Sequence, residues 1–142
     1  MKIVANNQTK GNHTNNQLNG LKTTTSAYIE NIETSLKYLN KNSELKTQNP
    51  VLSVVEASKL YRPPYGKLTL SQSKKIRKKG YKIIMWDVLS ADFDTTITAQ
   101  ECLNNVIKNT KNGSIIVFHD SIKSQEKLKF VLPEVLEYYS EK

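Results

Sequence analysis

The residues best placed to do chemistry are His13, Arg62, Asp92 and His119, and three of them close short apolar runs. Arg62 follows Leu60-Tyr61 in LYRPPYGKL, Asp92 ends IIMWDVLSAD, and His119 follows Ile115–Phe118 in GSIIVFHDS. A parallel strand delivers whatever stands at its C-terminal end to a shared rim, where α/β proteins keep their sites. A histidine there can give or take a proton near neutral pH, and a nearby carboxylate can orient it. His13 stands apart, in the polar stretch GNHTNNQLNG near the start of the chain.

These side chains need elements to hold them, and the pattern supplies helices and strands in alternation. Thr24–Lys41 reads as a helix, with Tyr28, Ile29, Ile32, Leu36 and Leu39 on its apolar side. Asn42–Pro50 reads as a loop, Val51–Ala57 as either strand or helix, and Lys59–Arg62 as a short strand stopped by Pro63-Pro64. Thr69–Gly80 reads as a second helix, opened by a Thr69/Gln72 capping box and closed by a left-handed Gly80. Tyr81–Val88 is rich in β-formers and predicts one strand covered on both faces. Thr98 and Glu101 open a third helix with a buried stripe of Cys102, Leu103, Val106 and Ile107, ended by Asn112-Gly113. Ile115–Phe118 predicts another strand. A last helix is expected over Leu128–Tyr139, its apolar side Leu128, Leu132, Val135, Leu136 and Tyr139, with Pro133 tolerable only near its first turn. Strand and helix in regular alternation argue for an α/β fold with a parallel sheet.

Composition sets the limits. The chain has 142 residues, enough for one domain with a core, and a mean hydropathy of −0.54. No stretch approaches the roughly 18–20 consecutive apolar residues of a membrane span. The opening MKIVANNQTKGNH turns polar after four residues, so no signal-peptide core is expected in it. Cys102 is the only cysteine, which excludes an internal disulfide and reads as a core residue. The net charge is +8, densest at Lys74, Lys75, Arg77, Lys78 and Lys79. That run can bind an anionic polymer or simply face water; no aromatic residue is interleaved to stack on single-stranded bases.

In this order, GNHTNNQLNG, LYRPPYGKL, IIMWDVLSADF and GSIIVFHDS resemble the blocks of the polysaccharide deacetylase family, the NodB homology domain of carbohydrate esterase family 4. The resemblance implies an α/β fold, a partial and distorted (β/α) barrel with parallel strands, and a single NodB homology domain over residues 1–142. It also implies that these residues lack the Asp-Asp segment that opens such domains and the final strand that closes them, a chain truncated at both ends.

The family hydrolyses carbon–nitrogen bonds, removing N-acetyl groups from glycans with a divalent, zinc-like metal. By resemblance His13 takes the place of the first histidine ligand, and Gln17 stands where the second histidine is expected. Two ligands at i and i+4 share one helical face, but a glutamine carbonyl is a poor zinc ligand beside an imidazole. His13 then reads either as a vestigial ligand or as a surface or capping histidine beside Thr14. Arg62 would orient the catalytic base, and the prolines with Gly66 would let a peptide N–H near Tyr65 face an oxyanion; a plain Pro-Pro turn with an exposed Arg62 is the other reading. Asp92 would hydrogen-bond the general acid His119, Phe93 would wall the sugar site, and Val117 would line the acetate-methyl pocket. Trp86 reads as core, and Asp87 and Asp94 as surface carboxylates.

The expected ligand is an N-acetylated glycan of chitin-oligomer or peptidoglycan type, with no nucleic-acid partner. Relatives are secreted or envelope proteins. Metal is not expected to bind tightly here and hydrolysis is expected to be impaired. The alternative is a non-catalytic carbohydrate-binding relic or a gene fragment.

Overall fold

The structure, a computed structural model, describes residues 11–41 and 59–140. The expected loop Asn42–Pro50 and the ambiguous segment Val51–Ala57 lie outside the described residues. The chain divides into two compact units, Met1–Met85 and Trp86–Lys142.

In the first unit a 3-10 turn at Gly20–Lys22 leads into α1 (Thr25–Lys41), then β1 (Leu60–Tyr61), a second 3-10 turn at Pro64–Gly66, α2 (Leu70–Lys78) and β2 (Lys82–Ile83). The strands pair in parallel, Leu60 with Lys82 and Tyr61 with Ile83, and Asn12 extends the ladder by a parallel bridge to Tyr61. Tyr28, Ile29 and Ile32 from α1 pack with Tyr61, Ile76 and Tyr81, flanked by Leu18, Leu36, Leu68 and Ile83. Two-residue strands hold little by themselves. Each of these apolar side chains contributes about 1.5–3 kcal/mol on full burial, so helix-on-strand packing holds the unit together. Within that core the Tyr61 hydroxyl donates to the Tyr28 hydroxyl at 2.6 Å, so both rings are buried with their polar ends satisfied.

The Thr69/Gln72 capping box forms as predicted, and Gly80 closes α2 with φ 84°. Gln72 does more than cap. Its Nε2 donates to the carbonyls of Gly20 (2.8 Å) and Thr23 (3.1 Å), tying the stretch after His13 to α2. Lys74, Lys75, Arg77, Lys78 and Lys79 are all exposed, and Ile76 between them is buried.

The second unit runs β3 (Val88–Leu89), α3 (Ala99–Asn109), β4 (Ile116–Val117) and α4 (Gln125–Ser140). β3 and β4 pair in parallel, Val88 with Ile116 and Leu89 with Val117. Cys102 and Val106 of α3 pack on Val131 and Val135 of α4, surrounded by Ile97, Leu103, Ile107, Ile116, Phe118 and Tyr139. The Thr98/Glu101 capping box is present.

Three expectations change. Tyr81–Val88 is not one strand: Lys82–Ile83 pairs with β1, while Val88–Leu89 pairs with β4. Side chains take over the backbone groups where the ladder breaks. Arg62 Nε donates to the Ile84 carbonyl, and the Asp87 carboxylate accepts from Ser114 Oγ (2.6 Å) and the Ile115 amide (2.7 Å). Lys82, Met85 and Asp87 are exposed and Trp86 is half-buried, so the run is not covered on both faces. The last helix begins at Gln125, three residues earlier than expected, and carries Pro133 in its interior, where the ring has no N–H to offer the carbonyl four residues back. Its buried face is Val131 and Val135, while Leu136 is 62% exposed. Finally, α3 ends at Asn109, and Asn112-Gly113 forms a separate turn with Gly113 at φ 86°.

Candidate active site

In the first unit the bridge to Tyr61 places the GNHTNNQLNG block. The Asn12 amide donates to the Leu60 carbonyl at 2.7 Å and the Arg62 amide to the Asn12 carbonyl at 2.9 Å. Asn12 is buried, its Nδ2 donating to Ile32 in α1 and its Oδ1 accepting from the Thr14 amide. This anchoring asparagine carried no chemical signal in the sequence. His13 next to it donates Nδ1–H to the Arg62 carbonyl at 2.7 Å; a carbonyl can only accept, so in the neutral ring the Nε2 lone pair is the one presented.

The spacing from His13 to Gln17 does not fall on a helix. The segment is irregular, with Thr14 at φ 63° and Gln17 at φ 55°, and the Asn15 and Asn16 amides both donate to Asn31 Oδ1. The i, i+4 argument for a shared helical face therefore fails, because left-handed residues break the helical path between the two side chains.

The Pro63-Pro64 turn holds Tyr65 in the left-handed region, φ 58° and ψ 9°, with Gly66 following at φ 67°. A bulky side chain at positive φ is strained, and fixed proline φ values on the preceding residues help impose it. The Gly66 and Lys67 amides close the turn on Pro63 and Pro64, while the Tyr65 amide has no acceptor among the described residues. Tyr65 is 63% exposed. Arg62 is half-buried with its Nε on the Ile84 carbonyl, not an exposed arginine after a turn.

The second unit brings Asp92, Phe93 and His119 together. Asp92 is fully buried, and both its oxygens are engaged by His119: Oδ2 accepts the backbone amide at 2.6 Å and Oδ1 accepts ring Nδ1–H at 2.7 Å. The Phe93 ring meets the His119 ring edge-on, centroids 4.9 Å apart at 80°. His119 is 39% exposed in its side chain, and with Nδ1 committed its Nε2 is the nitrogen left to move a proton. Val117, two residues earlier on β4, is buried.

Sequence reasoning missed what supports this pair. Ala91, at φ 62°, turns the chain so that Asp92 points inward. Asn105 of α3 grips that turn, its Nδ2 donating to the Leu89 carbonyl at 2.6 Å and reaching the Ser90 carbonyl at 3.3 Å. Cys102 Sγ donates to the same Ser90 carbonyl, and burial first, then the Asp92 charge, push its thiol pKa up. Asn105 lies on the half-buried side of an otherwise apolar stripe, the one hint the sequence held. On the other side of the turn, Lys127 of α4 donates to the Asp94 carbonyl.

No family model matches. The chain is 32% identical over 89 residues to the bifunctional xylanase/xylan deacetylase of Cellvibrio japonicus, 61% of this chain and 13% of that protein. It is 26% identical over 107 residues to the peptidoglycan-N-acetylglucosamine deacetylase of Bacillus cereus, 70% of this chain and 50% of that protein. Among solved structures, a peptidoglycan N-acetylglucosamine deacetylase superposes with a TM-score of 0.75 at 25% identity over 96% of this chain and 61% of that one. The chain is similar in sequence and in fold to polysaccharide deacetylases of carbohydrate esterase family 4. Its fold is the (β/α)-type fold of these NodB-type deacetylases. A family pseudoenzyme from Bacillus anthracis shares that fold, with a TM-score of 0.73 at 19% identity over 96% of this chain and 44% of that one. The chain spans half or less of the length of the curated relatives it matches.

Deacetylases of this family are metal-dependent, and the residues here do not fit that metal. His13 offers one imidazole and Gln17 one neutral amide, a poor partner for zinc. Among the described residues no three His, Cys, Asp or Glu side chains converge.

Proposed function

We propose that these residues carry the proton-delivery half of a glycan N-deacetylase within one NodB homology domain, and that hydrolysis by this chain is impaired. The reading rests above all on the Asp92–His119 pair, with both carboxylate oxygens held by one histidine. In this role His119 Nε2 protonates the departing amine as the acetyl carbon–nitrogen bond breaks, and Asp92 holds the ring in place. Within the second unit Phe93 walls the sugar and Val117 bounds the acetyl methyl. Within the first unit, family resemblance gives the Tyr65 amide the part of an oxyanion donor and Arg62 that of an orienting cation.

Backbone strain supports the same assignment. The four non-glycine residues with positive φ among those described are Thr14, Gln17, Tyr65 and Ala91, and each lies within one of the four family blocks. Such strain costs about 1–3 kcal/mol per residue and persists where function requires the geometry. The metal-holding block has a weaker set of donors: beside His13, Gln17 stands where a second histidine is expected, and a neutral amide is a poor zinc ligand. Water with its ordinary pKa is a poor nucleophile at neutral pH.

A second reading, a carbohydrate-binding protein without turnover, is favoured by the exposed rings of Tyr65 and Phe93, the surfaces on which sugars stack. Acetate release and calorimetric binding with chitin oligomers separate the two. Residual turnover abolished by His119→Gln supports the impaired enzyme; binding with no turnover, weakened by Phe93→Ala but not by His119→Gln, supports the binding protein.

A further inference from the structure

Charge in this chain is unevenly placed. Residues 1–85 hold 15 of the 21 lysines and arginines and 4 of the 13 acids, a net +11, while residues 86–142 carry a net −3. Among the described residues of the first unit, six cations stand at one end. α2 closes on Lys75, Arg77 and Lys78 with Lys79 as its C-cap, and the chain turns at Gly80 directly into Lys82 of β2. The Lys82 amide donates to the Lys59 carbonyl at 2.8 Å, and the Lys59 side chain lies over Gly80, its Nζ 3.6 Å from where a Cβ there would stand. All six side chains are exposed. Glu33 answers one of them, pairing with Lys79 at 2.5 Å.

Helix electrostatics account for only part of this. Cations in the last turn of a helix suit its dipole, which explains Lys75, Arg77 and Lys78. It does not explain Lys59, in the turn just before β1, and Lys82, the first residue of β2, which add repulsion to an already cationic end. The patch also lies at the opposite end of β1 from Arg62 and the Tyr65 turn, so a polymer bound there leaves that turn open.

We infer that this end of the first unit is a docking surface for a linear, base-free polyphosphodiester. Five of the six cations are lysines, which bind phosphates as point charges, and no aromatic residue is interleaved in residues 74–80 to stack on bases. Binding would be electrostatic and driven by counterion release. The surface stands whether or not His119 transfers a proton.

The test is fluorescence anisotropy of the full chain with labelled poly(glycerol phosphate) across a salt series, with random-sequence duplex DNA as a second probe. The Lys59→Gln/Arg77→Gln/Lys82→Gln variant should bind at least tenfold more weakly at low salt. Its log–log salt slope should fall by about 2, as expected for three lost phosphate contacts on a flexible strand. Lys75→Gln/Lys78→Gln should give a smaller loss, which also guards against misfolding of the triple variant. Lys108→Gln/Lys111→Gln/Lys123→Gln, in the acidic second unit, should bind as the parent does. Parent-like affinity in both patch variants, an equal loss in the control, or tighter binding of duplex DNA by the parent would overturn the inference.

Discussion

Asp92 and His119 are joined twice, by the ring Nδ1–H on one carboxylate oxygen at 2.7 Å and the backbone amide on the other at 2.6 Å. A bidentate grip of this kind fixes the position of the ring as well as its tautomer. Asparagine at position 92 keeps the shape but brings an NH2 group toward a donor. Asp92→Asn should therefore lower stability by about 1.5–3 kcal/mol, the range for losing a hydrogen bond to a charged group, and His119 should lose its single ring orientation. Thermal denaturation with ring-nitrogen NMR of His119 checks both; an unchanged melt and an unchanged ring signal would refute the structural role.

Gly20 tests the joint between the His13 block and α2. A Cβ there would come within 2.8 Å of Gln72 Oε1 and closer still to the Lys67 carbonyl. Gln72 cannot retreat, since the same side chain completes the capping box and holds the Gly20 and Thr23 carbonyls. Gly20→Ala should cost about 1–3 kcal/mol, the usual penalty for overpacking, measured by urea denaturation with the slope unchanged.

Asp87 gives the pH dependence. Ser114 Oγ–H first, and the Ile115 amide second, hold its carboxyl below the ordinary value of 3.8. A depressed folded pKa stabilises above the unfolded value and is lost as pH falls through the folded one. The stability difference between the parent and Asp87→Asn should thus be constant near neutrality and shrink below about pH 4. Melting curves of both proteins from pH 7 down to pH 3 follow it; a difference that widens toward acid would reverse the sign.

How much of this was written in the sequence depended on the kind of signal. Both capping boxes, the Gly80 stop and the core faces of α1 and α3 follow from local spacing and were legible. The Tyr81–Val88 run was not, because its apolar pattern cannot show that Arg62 and Asp87 would capture the backbone and divide it between two strand pairs. Pro133 misled in the same way: propensity argues against an interior proline, yet packing of Val131 and Val135 on Cys102 and Val106 carries α4 through it. Within the site, residues that would touch a substrate were visible through their types. The residues that position them, Asn12, Ala91 and Asn105, act by backbone contacts and left-handed turns that no motif announces.

Acetate release from chitin oligomers, in zinc-containing buffer, tests the central claim most directly when four proteins are compared. These are the parent, Gln17→His, Gln17→His fused to an upstream Thr-Phe-Asp-Asp-Gly segment, and that fusion with His119→Gln. The account predicts little or no release from the parent and from Gln17→His, since a second imidazole without a carboxylate or base leaves the metal half incomplete. It predicts clear turnover in the fusion, lost again with His119→Gln. Substantial turnover by the parent chain, or a fusion whose activity survives His119→Gln, would contradict it.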